Sequence, residues 1–186
     1  MNGLFRQIPN ILTALRLAAA PAFAALLMAG DDRMALGIFA FAGLSDAADG
    51  FLAKRFGITT RFGRYLDPAA DKLLMLAAFL TLAALGIAPW WLTALVIARD
   101  LAIVLAVFAA YVLALPLRVQ PLFIGKVNTV VQVSYVGLML LFLVLGTDAP
   151  QISAWAALVT AIFTIISWFA YAGLWLGAFF ARNRIA

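Results

Sequence analysis

Cysteine, histidine and glutamate are all absent from this 186-residue chain, and each absence removes a class of chemistry. Without cysteine there is no disulfide framework, no thiol nucleophile and no sulfur-ligated metal. Without histidine the usual general base, phosphohistidine intermediates and the commonest nitrogen ligand for zinc or iron are gone. All eight acidic residues are therefore Asp. Any acid/base or metal chemistry must run through aspartate oxygens, the donors preferred by hard cations such as magnesium, manganese or calcium. Charge is scarce as well: 11% of residues are charged and 67% apolar, where a soluble domain holds about 25% and about 45 to 50%. With a mean hydropathy of +1.09, a soluble enzyme, a disordered chain and a surface-bound peripheral protein are excluded. An integral membrane protein remains.

At about 20 apolar residues per span, the length allows roughly six helices joined by short loops, in a single membrane domain over residues 1–186. Apolar stretches bounded by Gly, Pro or charge predict spans at about 9–29, 34–53, 66–86, 90–114, 123–146 and 152–180. The segment before Pro9 has one Arg and no separate apolar core, so Pro9 onward reads as a retained first span and not a signal peptide. No internal repeat is evident. Basic residues concentrate in alternate breaks: Arg6; then Lys54, Arg55, Arg61 and Arg64; then Arg118 and Lys126; then Arg182 and Arg184, while the other breaks hold Asp31, Asp32 and Arg33, then no charge, then Asp148. The positive-inside rule predicts that both termini and the Lys54 to Arg64 loop are cytoplasmic. The net charge of +5 then reflects loops facing an anionic leaflet, and no nucleic-acid partner is expected.

Carboxylates are costly in membrane spans, roughly 2.5 to 3.5 kcal/mol for an Asp near a helix centre on insertion scales. This chain nevertheless places Asp46 and Asp49 at the end of its second span and Asp67 and Asp71 at the start of its third. Spacings of three and four put each pair on one helical face. The two spans are consecutive and antiparallel, so the faces can meet at one depth. Four carboxylates there repel unless cations lie between them, and oxygen ligation of one or two divalent ions is the direct answer. Gly50 and Ala53 leave room beside Asp49, while Lys54, Arg55, Thr60, Arg61 and Arg64 supply cations and a hydroxyl suited to phosphate oxygens. Topology alone also accounts for the basic run. Metal, phosphate and a cytoplasmic interface together point to phosphoryl transfer on a lipid.

These residues resemble the signature of the CDP-alcohol phosphatidyltransferase family, D-x-x-D-G-x-x-A-R, eight residues, G-x-x-x-D-x-x-x-D. The chain reads Asp46-Ala-Ala-Asp49-Gly50-Phe-Leu-Ala53-Lys54, eight residues, then Gly63-Arg-Tyr-Leu-Asp67-Pro-Ala-Ala-Asp71. Every spacing matches, and the one departure is Lys54, which keeps the charge of the usual Arg but loses its bidentate fork. The resemblance implies a six-helix bundle, N-in and C-in, homodimeric, in a bacterial cell (inner) membrane with its metal site on the cytoplasmic side. It implies CDP-diacylglycerol as donor, CMP as product and divalent cations, two Mg2+ or Mn2+. Carried over by position, Asp46, Asp49, Asp67 and Asp71 are the metal ligands, and Asp71 is also the general base. Asp49, Gly50, Ala53, Lys54, Thr60 and Gly63 contact the CDP moiety.

The acceptor is expected to be read outside the signature, by Arg99, Asp100, Lys126 and Asn128, with Gln132 one turn beyond. An internal Arg99/Asp100 pair and a snorkelling Lys126 are the bland alternative. Family members that use glycerol 3-phosphate typically carry Arg-Glu at 99–100 and Lys at 128. The neutral Asn128 fits an acceptor without a phosphate monoester. From Ile8-Pro9-Asn10, Thr13 and Arg16 through Phe123 to Thr129, the chain resembles the CMP-forming cardiolipin synthase branch, whose acceptor is phosphatidylglycerol. The phospholipase-like type, with its histidine nucleophile, is excluded by the absence of histidine. Glycerol-3-phosphate phosphatidyltransfer is the close alternative. A cation transporter or proton relay would explain the aspartates but leaves Gly50, Ala53 and Gly63 without a purpose.

Overall fold

The computed structural model describes residues 3–56, 63–112 and 122–182, with side chains described over 14–45, 70–109, 112 and 122–175. Every element is helical: α1 (Gly3–Met28), α2 (Asp32–Phe56), α3 (Gly63–Ala84), α4 (Trp90–Val112), α5 (Phe123–Leu145) and α6 (Pro150–Arg182). The order and number of helices, though not their crossing of a membrane, match the sequence reading. The edges differ where polar residues extend a helix beyond its apolar run. Arg6 and Gln7 lie inside α1, and Lys54 and Arg55 lie inside α2. The expected loop from Lys54 to Arg64 is thus largely helical at both ends, since α3 already begins at Gly63. Among the described residues, Trp90–Ala109, Phe123–Leu145 and Pro150–Trp175 are long and apolar enough to cross a membrane, and Ala14–Met28 is a shorter apolar run. The protein is an all-helical membrane protein.

Three turns share one device. Gly30, Gly86 and Gly146 have φ of 81°, 74° and 61°, a left-handed conformation that glycine adopts without steric cost. Each closes a helix in a Schellman arrangement: Asp31, Ile87 and Thr147 donate their N–H to the carbonyls of Leu26, Leu82 and Phe142 at 3.0, 2.9 and 2.9 Å. Asp31 then caps α2, its Oδ1 accepting the Met34 N–H at 3.2 Å, and Pro150 opens α6 at a position that tolerates the missing donor.

The chain divides into two compact units, Met1–Ile87 with Val136–Asp148, and Ala88–Tyr135 with Ala149–Ala186. In the first, α1 packs against both α2 and α3. Its seam is apolar: Ala20, Phe23 and Leu27 of α1 meet Ala35, Phe39 and Ala42 of α2 and Ala70, Leu74, Ala78, Phe79 and Leu82 of α3, all buried. The Phe23 and Phe39 rings lie 6.0 Å apart in a tilted pair. In the second unit α4 packs against α6, and polar groups lie in the seam alongside the buried Leu92, Val96, Ala157 and Ala161. Thr93 and Arg99 of α4, Asn128 and Gln132 of α5, and Thr160, Thr164 and Ser167 of α6 are all buried, while Leu101, Val104, Leu105, Phe108, Trp155 and Ile162 are exposed. Large apolar side chains outside and hydrogen-bonding groups inside is the arrangement expected where the surrounding solvent is lipid.

Candidate functional site

The signature residues lie on the ends of two helices in the first unit. Asp46, Asp49, Gly50, Ala53 and Lys54 fall in the last turns of α2, and Gly63, Asp67 and Asp71 in the first turns of α3. The side chains of Asp46, Asp49, Ala53, Lys54 and Asp67 lie outside the described residues, as does Thr60 altogether. Asp71 is described, and it has a partner the sequence reading did not assign. Arg16 of α1 approaches it with Nη1 3.1 Å from Oδ1; the arginine side chain is 2% exposed and the aspartate side chain 40%. Arg16 continues the buried stripe of α1 through Ala20, Phe23 and Leu27, so α1, which packs on both signature helices, sets a cation beside the Asp71 carboxylate of α3.

Among the described residues no cluster of three or more metal-ligating side chains forms, because three of the four signature carboxylates lie outside the described side chains. The chemistry of the four signature positions would fit a hard divalent cation: all are aspartates, and they sit on helical turns three and four residues apart.

The second unit brings together much of the expected acceptor set. Arg99 is 3% exposed. Its Nε and Nη2 donate to Ser167 Oγ at 3.2 and 2.6 Å, its Nη1 pairs with Asp100 Oδ1 at 2.7 Å, and the guanidinium lies 5.5 Å from the centre of the Tyr171 ring. Gly125 abuts this group: a Cβ there would lie 2.8 Å from Tyr171 Oη, 3.2 Å from Cε2 and 3.4 Å from Arg99 Nη2. One turn on, Thr164 lies against Asn128, with Oγ1 3.1 Å from Asn128 Oδ1, and Gln132 Nε2 donates to the same hydroxyl at 3.4 Å. Thr164 is also 2.8 Å from the Thr160 carbonyl. Its single proton serves one acceptor at a time, so the two compete. Asn128 Nδ2 is buried with no hydrogen-bond partner among the described residues. Lys126 is not brought into this group; it is exposed.

The sequence reading missed α6. Thr160, Thr164, Ser167 and Tyr171 recur at spacings of four, three and four, a polar stripe on one helical face of an otherwise apolar span. That period was available in the sequence. Arg16 stood out in the sequence only within the stretch that resembles the cardiolipin synthase branch, and nothing there pointed to Asp71, far along the chain, as its partner.

Comparison with known proteins places these features. Cardiolipin synthase (CMP-forming) of Rattus norvegicus is 37% identical over 141 residues, which cover 67% of this chain and 47% of the rat protein. The chain thus matches about half of that relative's length. "Probable phosphatidylglycerophosphate synthase" of Mycobacterium tuberculosis is also 37% identical, over 84% of this chain and 77% of the relative. CDP-diacylglycerol--glycerol-3-phosphate 3-phosphatidyltransferase of Bacillus subtilis is 30% identical over 89% and 93%. The CDP-alcohol phosphatidyltransferase model matches residues 6–170, a stretch that includes the paired aspartates, Arg16 and nearly all of the polar seam. The transporter alternative gives way to this match: the chain belongs to the CDP-alcohol phosphatidyltransferase family, a family of transferases.

Proposed function

We propose that the protein transfers a phosphatidyl group from CDP-diacylglycerol to phosphatidylglycerol, giving cardiolipin and CMP. The observation that carries this choice of acceptor is the neutral seam around Asn128. Asn128, Gln132, Thr160, Thr164 and Ser167 are buried and uncharged, and the charge of Arg99 is already opposed by Asp100. A phosphomonoester brings nearly two negative charges and calls for a surplus cation. A phosphodiester with a free glycerol hydroxyl needs only one charge balanced and neutral partners for the rest.

In this reading Asp46, Asp49, Asp67 and Asp71 hold two divalent ions, Mg2+ or Mn2+, on the cytoplasmic side of a bacterial cell membrane, in a six-span homodimer. Ions held there would supply positive charge to neutralise the pyrophosphate and the departing CMP. Asp49, Gly50, Ala53, Lys54, Thr60 and Gly63 hold the CDP moiety. Arg99, Asp100 and Asn128 orient the acceptor. Asp71 takes the proton of the acceptor hydroxyl as its oxygen bonds to the phosphorus next to diacylglycerol, and the bond from that phosphorus to CMP breaks. No covalent enzyme intermediate is required.

The test is a purified-protein assay with CDP-diacylglycerol and either phosphatidylglycerol or glycerol 3-phosphate, following CMP and the lipid product. Cardiolipin from phosphatidylglycerol is expected. Phosphatidylglycerophosphate without cardiolipin would reverse the assignment and favour the glycerol-phosphate activity that two of the relatives' names carry.

A further inference from the structure

Arg16 is an unusual occupant of its position. The stripe it begins is otherwise Ala20, Phe23 and Leu27, and a buried guanidinium is among the costliest side chains to place in a membrane helix. Its carboxylate partner is on another helix and belongs to the signature, and the pair is asymmetric, with the cation sealed and Asp71 half-exposed at Nη1 to Oδ1 3.1 Å. Since α1 packs on both α2 and α3, it can fix a charge relative to both signature helices while contributing no carboxylate itself.

We propose that Arg16 is a positioning residue for Asp71: it anchors that carboxylate, and its charge weakens divalent-ion binding there so that the ion stays exchangeable. The inference rests on the reading of Asp71 as a metal ligand. The anchoring follows from burial: the arginine side chain is 2% exposed and holds its Nη1 3.1 Å from one oxygen of Asp71 as an ion pair, not as a directed hydrogen bond, so the attraction acts on the carboxylate from a fixed point. The weakening follows from Coulomb's law, because a divalent ion on the same carboxylate meets a fixed positive charge that is poorly screened by solvent. A lysine would keep the second effect and lose much of the first.

Mn2+ binding to the purified full-length chain in detergent, measured by the EPR signal of free Mn2+, separates these effects from a role in folding alone. Arg16→Gln is expected to bind Mn2+ at least tenfold more tightly while kcat falls at least tenfold and KM for CDP-diacylglycerol stays within threefold. Arg16→Lys should keep Mn2+ affinity within threefold of the parent and still lose kcat. Asp71→Asn should weaken Mn2+ binding. Should Arg16→Gln not fold, the neutral pair Arg16→Gln/Asp71→Asn replaces it and should bind Mn2+ at least tenfold more tightly than Asp71→Asn alone. If removing the Arg16 charge leaves Mn2+ affinity unchanged while Asp71→Asn weakens it, the proposal fails. If Asp71→Asn has no effect on Mn2+, the failure lies instead in the assignment of Asp71 as a ligand.

Discussion

Replacing Ser167 with Ala removes one oxygen that accepts two hydrogen bonds from a single cation. Arg99 Nε and Nη2 reach Ser167 Oγ at 3.2 and 2.6 Å. Ser167 is fully buried and the arginine side chain is 4% exposed, so water does not readily take the serine's place. Hydrogen bonds to charged groups contribute about 1.5 to 3 kcal/mol in soluble proteins. Interhelical bonds in membrane proteins average about 0.6 and reach about 1.7 kcal/mol. Two bonds at the membrane values give roughly 1 to 3 kcal/mol, with the Asp100 pair at 2.7 Å left to keep the charge opposed. Reversible unfolding in one fixed detergent composition should show that loss. Ser167→Cys, similar in size but a poor acceptor, should fall close to Ser167→Ala. Because Arg99 is assigned to the acceptor, KM for the acceptor should rise severalfold while KM for CDP-diacylglycerol does not. A Ser167→Ala protein within about 0.3 kcal/mol of the parent and with an unchanged acceptor KM would refute the argument, since an unsatisfied buried guanidinium cannot be that cheap.

Asp100→Asn should be more damaging than Ser167→Ala, on the order of 3 kcal/mol or more, because it leaves the buried Arg99 charge without its counterion; the same unfolding experiment ranks the two. Gly125→Ala places a methyl 2.8 Å from Tyr171 Oη and 3.4 Å from Arg99 Nη2, so it should displace the ring, raise acceptor KM and shift the environment of Tyr171 in a difference fluorescence or NMR spectrum. In a chain that has no cysteine of its own, Asp32→Cys and Asp148→Cys should both react with an impermeant thiol reagent added outside intact cells. Labelling of either from the cytoplasmic side alone would overturn the N-in, C-in topology.

Much of the architecture was legible because membrane helices announce themselves by length and apolarity, and because Gly30, Gly86 and Gly146 sit where the apolar runs end. Helix ends were less legible. Apolarity reports what faces lipid, whereas Arg6, Lys54 and Arg55 belong to turns whose backbone hydrogen bonds continue after the side chains become polar. The two aspartate pairs stood out by spacing, since carboxylates in a span demand a reason, whereas the roles of the residues around them were carried by the family resemblance. The hydroxyl stripe of α6 passed unnoticed because Ser and Thr in apolar helices so often bond back to their own carbonyls, as Thr160 does to Ala156 at 2.8 Å. Only the structure shows that Ser167 and Thr164 also reach Arg99 and Asn128.

Arg16 and Arg99, both buried, differ in a way that bears on their use. Arg99 is neutralised by the next residue in its own helix, and the partners it adds from α6 are an uncharged hydroxyl and an aromatic ring. Its charge is therefore balanced before any ligand arrives, and what it can offer an acceptor is the remaining directed donors of its guanidinium. Arg16 meets its carboxylate across a helix interface, on a residue of the signature itself. Changing the occupancy of that carboxylate changes the environment of a cation buried in α1, whereas changing the acceptor does not require the Arg99 pair to break. Substitutions at Arg16 should therefore register in metal binding and turnover, and substitutions around Arg99 in acceptor affinity. Observing the reverse pattern would show that a buried arginine's partner is no guide to its role in this fold.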